Sequence, residues 1–205
     1  MSPRLPLGDL EEASADPARY RTRLLGPPRQ RGGPTYFNAL RDAIFRFHRL
    51  GENLAEVEDY LRERLSRFRD PLRRDETLDQ FRWYVEEYTN LGWTAFRTRL
   101  NVEVSLPSWA PEDLECSGQI ARADIAPSGF AGWMFLSGDA GGWRREFRMP
   151  LIQEALAQEM NATTDEVMVG VYAFRERSVE RTSYTEAQIE AARSSLEELL
   201  TRLRL

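Results

Sequence analysis

The side chains of this sequence that could support acid–base or nucleophilic chemistry are few. All 28 basic residues are arginines, and the chain has one histidine, His48, and one cysteine, Cys116. Mechanisms that need a lysine as nucleophile or compact phosphate ligand are excluded, because guanidinium is planar and effectively never loses its proton. One cysteine and one histidine are also too few for a Cys/His zinc site or an intrachain disulfide. A serine or cysteine triad would need His48 as its base.

The remaining candidates for chemistry are His48 and a few acidic residues. A lone histidine within an aromatic helical segment such as AIFRFHRL is more often packed than catalytic. Asp124, assisted by Glu103 or Glu115, could form a carboxylate site for a metal ion, but isolated acids on strands are usually only solvated. The sequence therefore predicts no catalytic residue, no metal site and no cofactor, and we lean against enzymatic activity.

Arginine and tryptophan cluster in the segment WRREFR, residues 143–148. Guanidinium groups could hold a phosphate backbone while the indole of Trp143 stacks on a base. Alternatively, Arg145 and Arg148 pair with Glu146 and acids such as Asp139, and Trp143 covers the edge of the core. The predicted DNA-binding residues are Arg122, Trp143, Arg144, Arg145 and Arg148.

Length and charge limit the class of protein. A chain of 205 residues is long enough for one well-packed domain and short for two independent cores. Its apolar runs are much shorter than the ~20 residues that cross a bilayer, and the start MSPRLPLGDLEE has acids where a signal peptide would be apolar. We expect a cytoplasmic protein without membrane contact. The net charge of -5 argues against indiscriminate nucleic-acid binding, although arginine clusters could still form a local positive surface.

The first half of the sequence is predicted to be helical. Residues 1–34 are rich in proline, glycine and arginine and predict an extended arm with one short helix around Asp16 to Leu24. Apolar residues at helical spacing then predict helices on either side of Gly51. Thr77 and Gln80 resemble a capping box at the start of a third helix that continues toward Phe96.

The second half switches to strand periodicity. Alternating apolar residues predict a strand at 99–106, and residues 115–126 and the segment GWMFLS predict two more. A helix follows at 147–160, then the apolar strand VMVGVYAF, and Thr185 with Gln188 caps a last helix. The predicted order is helix, three strands, helix, strand, helix.

Three short segments resemble motifs of one nuclease superfamily. Residues 118–124 read GQIARAD, residues 133–138 read WMFLSG, and residues 147–152 read FRMPLI. These strings resemble G-x-I-D-R-x-D, hydrophobic-D-Y-K-T-G and L-Q-L-P-L-Y in the RecB-type branch of the PD-(D/E)XK nucleases, which includes AddB-like and CRISPR-associated exonucleases. The predicted α-β-β-β-α-β order is similar to the core of that superfamily.

The departures from these motifs fall on the catalytic positions. Ala121 stands where the resemblance implies a metal-binding aspartate, and Met134 and Leu136 replace the acid and the lysine of the third strand. Arg148 replaces the glutamine of the following helix. His48 lies in the part of the chain where the family can have a metal-site histidine, but the glycine that normally precedes it is missing.

The resemblance implies a restriction-endonuclease-like αβββαβ core, with a mixed central sheet flanked by helices and an N-terminal helical extension. The expected organisation is an extended arm at 1–34 and one PD-(D/E)XK-like domain at 35–205 with a helical N-terminal half. The expected function is a catalytically inactive, nuclease-like subunit that binds DNA or a partner protein in DNA repair, processing or prokaryotic defence. Its protein partner would be a helicase, an ATPase or an active nuclease.

Two alternatives stay open at the level of the sequence. One is a protein-interaction scaffold or homodimer without nucleic-acid contact, which the acidic balance favours. The other is a metal-dependent DNA nuclease whose site has moved to Asp124.

Overall fold

The structure is a computed structural model that describes residues 4–24, 35–51 and 53–203. The strands are β1 (Arg4–Pro6), β2 (Thr94–Val104), β3 (Glu115–Ala126), β4 (Gly129–Leu136), β5 (Val167–Ala173) and β6 (Ser178–Thr182). The helices are α1 (Leu10–Ala15), α2 (Pro17–Leu24), α3 (Tyr36–Arg49), α4 (Leu54–Leu65), α5 (Pro71–Leu91), α6 (Arg148–Met160) and α7 (Glu186–Leu203). Short 3-10 turns span Leu7–Asp9, Trp143–Arg145 and Thr164–Glu166.

Side-chain caps start the helices of the first half. The side chain of Thr35 accepts a hydrogen bond from the backbone N–H of Asn38 at the start of α3, and Asn53 caps α4 in the same way. Asp70 caps α5, whose first residue is Pro71, a residue that suits the first turn because its missing N–H has no helical partner there. Gly92, at φ 64°, ends α5 in the left-handed region.

The six strands form one mixed sheet. β2 and β4 both run antiparallel to β3, whereas β4 and β5 are parallel and β5 and β6 are antiparallel. The short β1 runs parallel to the start of β3, on the edge opposite β2. Among the described strands, β2 and β6 therefore form the two outer edges of the sheet. Gly129 is required at the β3–β4 turn, because a Cβ there would lie 1.9 Å from the carbonyl oxygen of Glu166.

Two apolar cores lie on the two faces of the sheet. One core joins α1, α2, α6 and α7 to the sheet, with residues such as Leu5, Leu156 and Leu196. The other joins α3, α4 and α5 to the opposite face, with residues such as Phe81 and Trp133. The sheet is thus flanked by helices on both sides, which confirms the predicted αβββαβ order in the run from α5 to β5.

Residues 4–24 do not form the extended arm that the sequence pattern predicts. The expected short helix is present as α2, but β1 extends the sheet, and Leu5, Leu10 and Ala13 are fully buried in the α6–α7 core. The interpretation was wrong here because the apolar residues of this segment have no single period. They pack as a strand, a turn and two short helices in succession. Residues 25–34 of the predicted arm lie outside the described residues.

Further elements differ from the prediction. α5 ends at Leu91 instead of continuing toward Phe96, and β2 spans Thr94–Val104 instead of residues 99–106. α5 begins at Pro71, not at Thr77, because Asp70 supplies the cap and the hydroxyl of Thr77 instead donates to the Arg73 carbonyl within the helix. Strand β6 lies in the segment between β5 and α7 that the pattern left without an element. Over residues 4–24, 35–51 and 53–203, no helix is both long and apolar enough to cross a bilayer.

Candidate functional site

The positions that the resemblance assigns to metal ligands are apolar and packed. Ala121 is 3% exposed on β3, and Met134 and Leu136 on β4 pack against the α6–α7 core. The antiparallel ladder pairs Arg122 with Trp133, so Ala121 and Met134 are the next positions along the two strands. Ala121 and Met134 thus lie just beyond the last paired residues of the two strands, and neither side chain carries an oxygen ligand.

This arrangement does not fit a magnesium or manganese ion. Such ions need several hard oxygen ligands that converge on one point. In the part of the chain that the structure describes, no three side chains of His, Cys, Asp or Glu come together as a possible ligand set. Asp124, the acid considered for a displaced site, is fully buried and accepts three hydrogen bonds from Arg122 and Trp133. Glu103 and Glu115 are exposed.

The N-terminal segment covers the strand and the helix that carry the motif strings. Leu7 packs on Gly118, where an added Cβ would come within 2.9 Å of the Leu7 side chain. At the start of α6, Glu11 accepts a hydrogen bond of 3.2 Å from the backbone N–H of Arg148, whose Nε lies 3.5 Å from the Glu11 carboxylate. Residues 4–24 therefore pack on the face of the sheet that also carries α6 and α7.

Arg122 and Asp124 form a buried ion pair on the opposite face of the sheet. Arg122 donates from Nε to Oδ1 and from Nη2 to Oδ2 of Asp124, both at 2.7 Å, and both side chains are fully buried. The indole Nε1 of Trp133 donates to Asp124 Oδ2 at 2.8 Å. Arg122 also donates to the hydroxyl of Tyr84, and to that of Tyr172 at 3.1 Å. All five polar groups are thus satisfied inside the core, as burial requires.

Aromatic rings enclose the guanidinium. Its carbon Cζ lies 4.7 to 5.6 Å from the ring centroids of Tyr84, Tyr88, Trp133 and Tyr172. Gly170 on β5 makes room for this cage, because a Cβ there would lie 2.5 Å from the Trp133 ring. Burial opposes the charged form of Arg122, but Tyr84, Tyr172 and Asp124 outweigh it and raise the pKa of the guanidinium. Arg122 is therefore a permanent buried cation.

The prediction that Arg122 contacts DNA does not fit the structure. A side chain that is 0% exposed cannot reach a phosphate, and each side of its guanidinium already faces a protein partner. The relevant signal was present in the sequence, because residues two apart on a strand share one face. The Arg-x-Asp spacing inside the apolar run IARADIA thus placed opposite charges side by side on a buried strand. Tyr84 and Tyr172, which complete the network, carry no such local signal.

His48 extends the network toward the surface. Its Nε2 lies 2.6 Å from the hydroxyl oxygen of Tyr84. Burial, with a contribution from the charge of Arg122, lowers the pKa of His48 from 6.5 to about 3, so the imidazole is neutral at physiological pH. Because Arg122 already donates to the Tyr84 oxygen, we infer that the hydroxyl proton points to Nε2 and the imidazole proton is on Nδ1. Nδ1 is buried and has no hydrogen-bond partner among the described residues.

Most members of the predicted DNA-binding cluster are engaged within the protein. Trp143 is 3% exposed and its Nε1 donates to Glu180 at 2.9 Å, while Arg144 pairs with the same carboxylate at 3.1 Å. Arg148 pairs with Glu146 at 2.5 Å and with Glu11. Arg145 is exposed. The structure brings these residues together beside β6, with acids interspersed, and places them away from Arg122.

Comparisons with known proteins give a likeness of fold. No protein-family model and no curated protein matches this chain. A crystal structure from Eubacterium rectale, described as a "putative exonuclease", is similar to it with a TM-score of 0.57 and 8% identity, over 98% of this chain and 82% of the other. A second structure, SSO0001, covers 93% of this chain and 85% of its own, with 6% identity and a TM-score of 0.35. The fold of this chain is accordingly nuclease-like and consistent with a restriction-endonuclease-like core.

Proposed function

We propose that this chain is a catalytically inactive, nuclease-like protein that binds DNA or a partner protein in DNA repair, DNA processing or prokaryotic defence. The observation that carries the proposal is the apolar character of Ala121, Met134 and Leu136 in a nuclease-like fold. Cleavage of a phosphodiester with a divalent ion needs carboxylate oxygens and a group that orients water, and these positions offer neither.

The N-terminal segment supports the same proposal. In an active nuclease the ligand positions must face a cleft that admits a phosphate. Here Leu7 packs on Gly118, and Glu11 binds the first residue of α6. A protein that retains such a fold without its chemistry needs another chain to supply catalysis, so its partner would be a helicase, an ATPase or an active nuclease.

The second candidate is a protein-interaction scaffold, alone or as a homodimer. It is favoured by the ion pairs of Arg144 and Arg148 with Glu180, Glu146 and Glu11, which leave the predicted DNA patch largely neutralised. The net charge of -5 points the same way.

The test combines cleavage and binding. Purified protein is incubated with labelled single- and double-stranded DNA in Mn²⁺ or EDTA, across a salt series, and intact DNA and retained complex are measured together. The proposal expects intact DNA and a complex that weakens as salt rises, because displaced counterions drive phosphate binding. Cleavage that EDTA abolishes would overturn it and revive a displaced metal site. Intact DNA without any complex would favour the scaffold.

A further inference from the structure

In the part of the chain that the structure describes, a groove between α3 and the edge strand β2 is lined by six arginines and one acid. It encloses about 600 Å³ between residues 42–49 of α3, Tyr60 of α4 and residues 95–99 of β2. A second hollow of about 390 Å³ adjoins it and shares Asp42, Phe45 and Arg99. Together the two form one surface, which we call the α3–β2 groove.

The charge of this groove is strongly unbalanced. One acid lines it, Asp42, which pairs with Arg99 at 2.6 Å and with Arg64 at 3.2 Å. At the rim, Glu159 lies 3.4 Å from Arg97. The lining arginines are Arg41, Arg46, Arg49, Arg64, Arg97 and Arg99. In a protein with 33 acidic residues, this excess of cations is a local feature that average composition does not produce.

Arg64, Arg97 and Arg99 are ion-paired, whereas two of the other groove arginines each have an Nε atom that is unsatisfied within the described structure. Nε of Arg41 and Nε of Arg46 are buried without a hydrogen-bond partner among the described residues. Burial and the neighbouring charge of Arg99 lower the pKa of Arg41. Like charges held together in this way reduce stability, and a bound anion relieves the repulsion.

Aromatic rings line the same groove. Phe96 is 55% exposed, at the irregularity where the pairing of β2 with β3 shifts between Ala95 and Arg97. A phenyl ring so exposed has lost the hydrophobic benefit of burial, and a base stacked on it would restore that benefit. Arg99 lies 4.4 Å from the ring centroid of Phe45, and Arg46 lies 4.5 Å from that of Tyr60, so the guanidinium groups are held on ring faces.

We propose that the α3–β2 groove binds a single-stranded nucleic acid, with phosphates on Arg49 and Arg97 and a base stacked on Phe96. The combination of a cationic track with an exposed ring is the chemistry that recognises a strand whose bases are unpaired, since a duplex hides its base faces. The inference deepens the DNA-binding side of the proposed function and rests on it. It places the contact at the β2 edge of the sheet, opposite the Trp143 cluster beside β6.

Fluorescence anisotropy with a labelled single-stranded oligonucleotide, in DNA and RNA forms, tests the assignment. The variants are Arg49→Glu/Arg97→Glu and Phe96→Ala in the groove, and Arg144→Glu/Arg145→Glu as a matched charge reversal beside β6. We expect the groove double variant to lose at least about tenfold in affinity and its salt slope to fall by about 1.4, for two phosphate contacts on a single strand. Phe96→Ala should weaken binding roughly 5- to 150-fold. The matched control should bind like the wild type.

Each other outcome overturns a specific part. If the control variant loses binding and the groove variants keep it, the assignment of the binding site to the groove is refuted. The proposal that the protein binds DNA is then retained. If the wild type binds neither DNA nor RNA, the groove assignment and the nucleic-acid side of the proposed function fail together. If polyglutamate displaces the oligonucleotide and Phe96→Ala binds normally, the groove takes acidic polymers, and a protein partner replaces the nucleic acid. Circular dichroism and thermal unfolding of every variant check that the fold is retained.

Discussion

The two faces of the β3–β4 strand pair carry different side chains: one face is apolar, and the other holds a buried ion pair. Toward α6 and α7, the pair presents Met134 and Leu136 at positions that the nuclease motifs reserve for an acid and a lysine. Toward α5, the same strands present Arg122 and Asp124, a fully buried ion pair closed by Trp133. The first face is apolar, and the polar residues of the second face are satisfied within the protein.

The difference follows from what each face would need. Carboxylates on the α6 face would require a metal ion, because a buried charge without a partner is strongly destabilising. On the α5 face, Arg122, Asp124 and Trp133 are paired with one another, and removing one of them would leave another buried group unpaired. A substitution on the first face changes one side chain, whereas the second face is coupled, because a substitution in the buried pair leaves a charge without its partner.

The largest expected effect is the loss of one member of the coupled face. Asp124→Ala leaves the charge of Arg122 buried without its counterion and should lower the free energy of unfolding by about 3–5 kcal/mol. Urea unfolding followed by circular dichroism measures it. The double variant Arg122→Met/Asp124→Leu is the control and should recover much of the loss, since neither charge remains. A single variant as stable as the wild type would contradict the coupling.

A smaller effect is expected on the apolar face. Ala121→Asp puts a carboxylate at a position that is 3% exposed and should lower the free energy of unfolding by roughly 2–3 kcal/mol. Added Mn²⁺ should not restore it, because Met134 and Leu136 supply no oxygen ligand. The comparison variant is Ala121→Ser, which adds a polar group without a charge. A midpoint that rises with Mn²⁺ concentration would reveal a latent metal site.

The pH dependence of the free energy of unfolding tests the buried network through His48. Its native pKa is lowered to about 3, so the unfolded state takes up a proton below pH 6.5 that the native state does not bind. This part of the stability is complete above pH 6.5 and is lost as the pH falls toward 3. From pH 7.5 to pH 5 the loss should be about 2 kcal/mol, and His48→Gln should remove it from the pH profile. Parallel profiles for the two proteins would refute a neutral buried imidazole.

The sequence patterns predicted the elements whose periodicity is strong and local. The bounds of β3 were predicted as observed, and α7 starts at the predicted Thr185 and Gln188 cap, where the backbone N–H of Thr185 donates to Gln188 Oε1 at 2.9 Å. β6 was missed, because its five residues are intermediate or exposed and gain their strand character from pairing with β5. Residues 4–24 were misjudged because their apolar residues match no single period.

The features of the candidate sites also fall into those that the sequence predicted and those that it did not. The apolar side chains of Ala121, Met134 and Leu136, at the positions where the resemblance leads one to expect catalytic residues, could be read from the sequence alone. The Arg-x-Asp spacing indicated that Arg122 and Asp124 share one face of a buried strand, but it could not show their partners Tyr84 and Tyr172, which lie 38 and 50 residues from Arg122. The α3–β2 groove was missed for the same reason, because its arginines come from three separate elements.

The sequence by itself determined the absence of lysine chemistry, the order of the main helices and strands, and the apolar residues at positions 121, 134 and 136. These features depend on residue type and short-range period, which are local properties. Only the tertiary structure decided which arginines are buried, which are paired and which share a groove. Burial and pairing depend on residues far apart in the chain that folding brings within a few ångströms of each other.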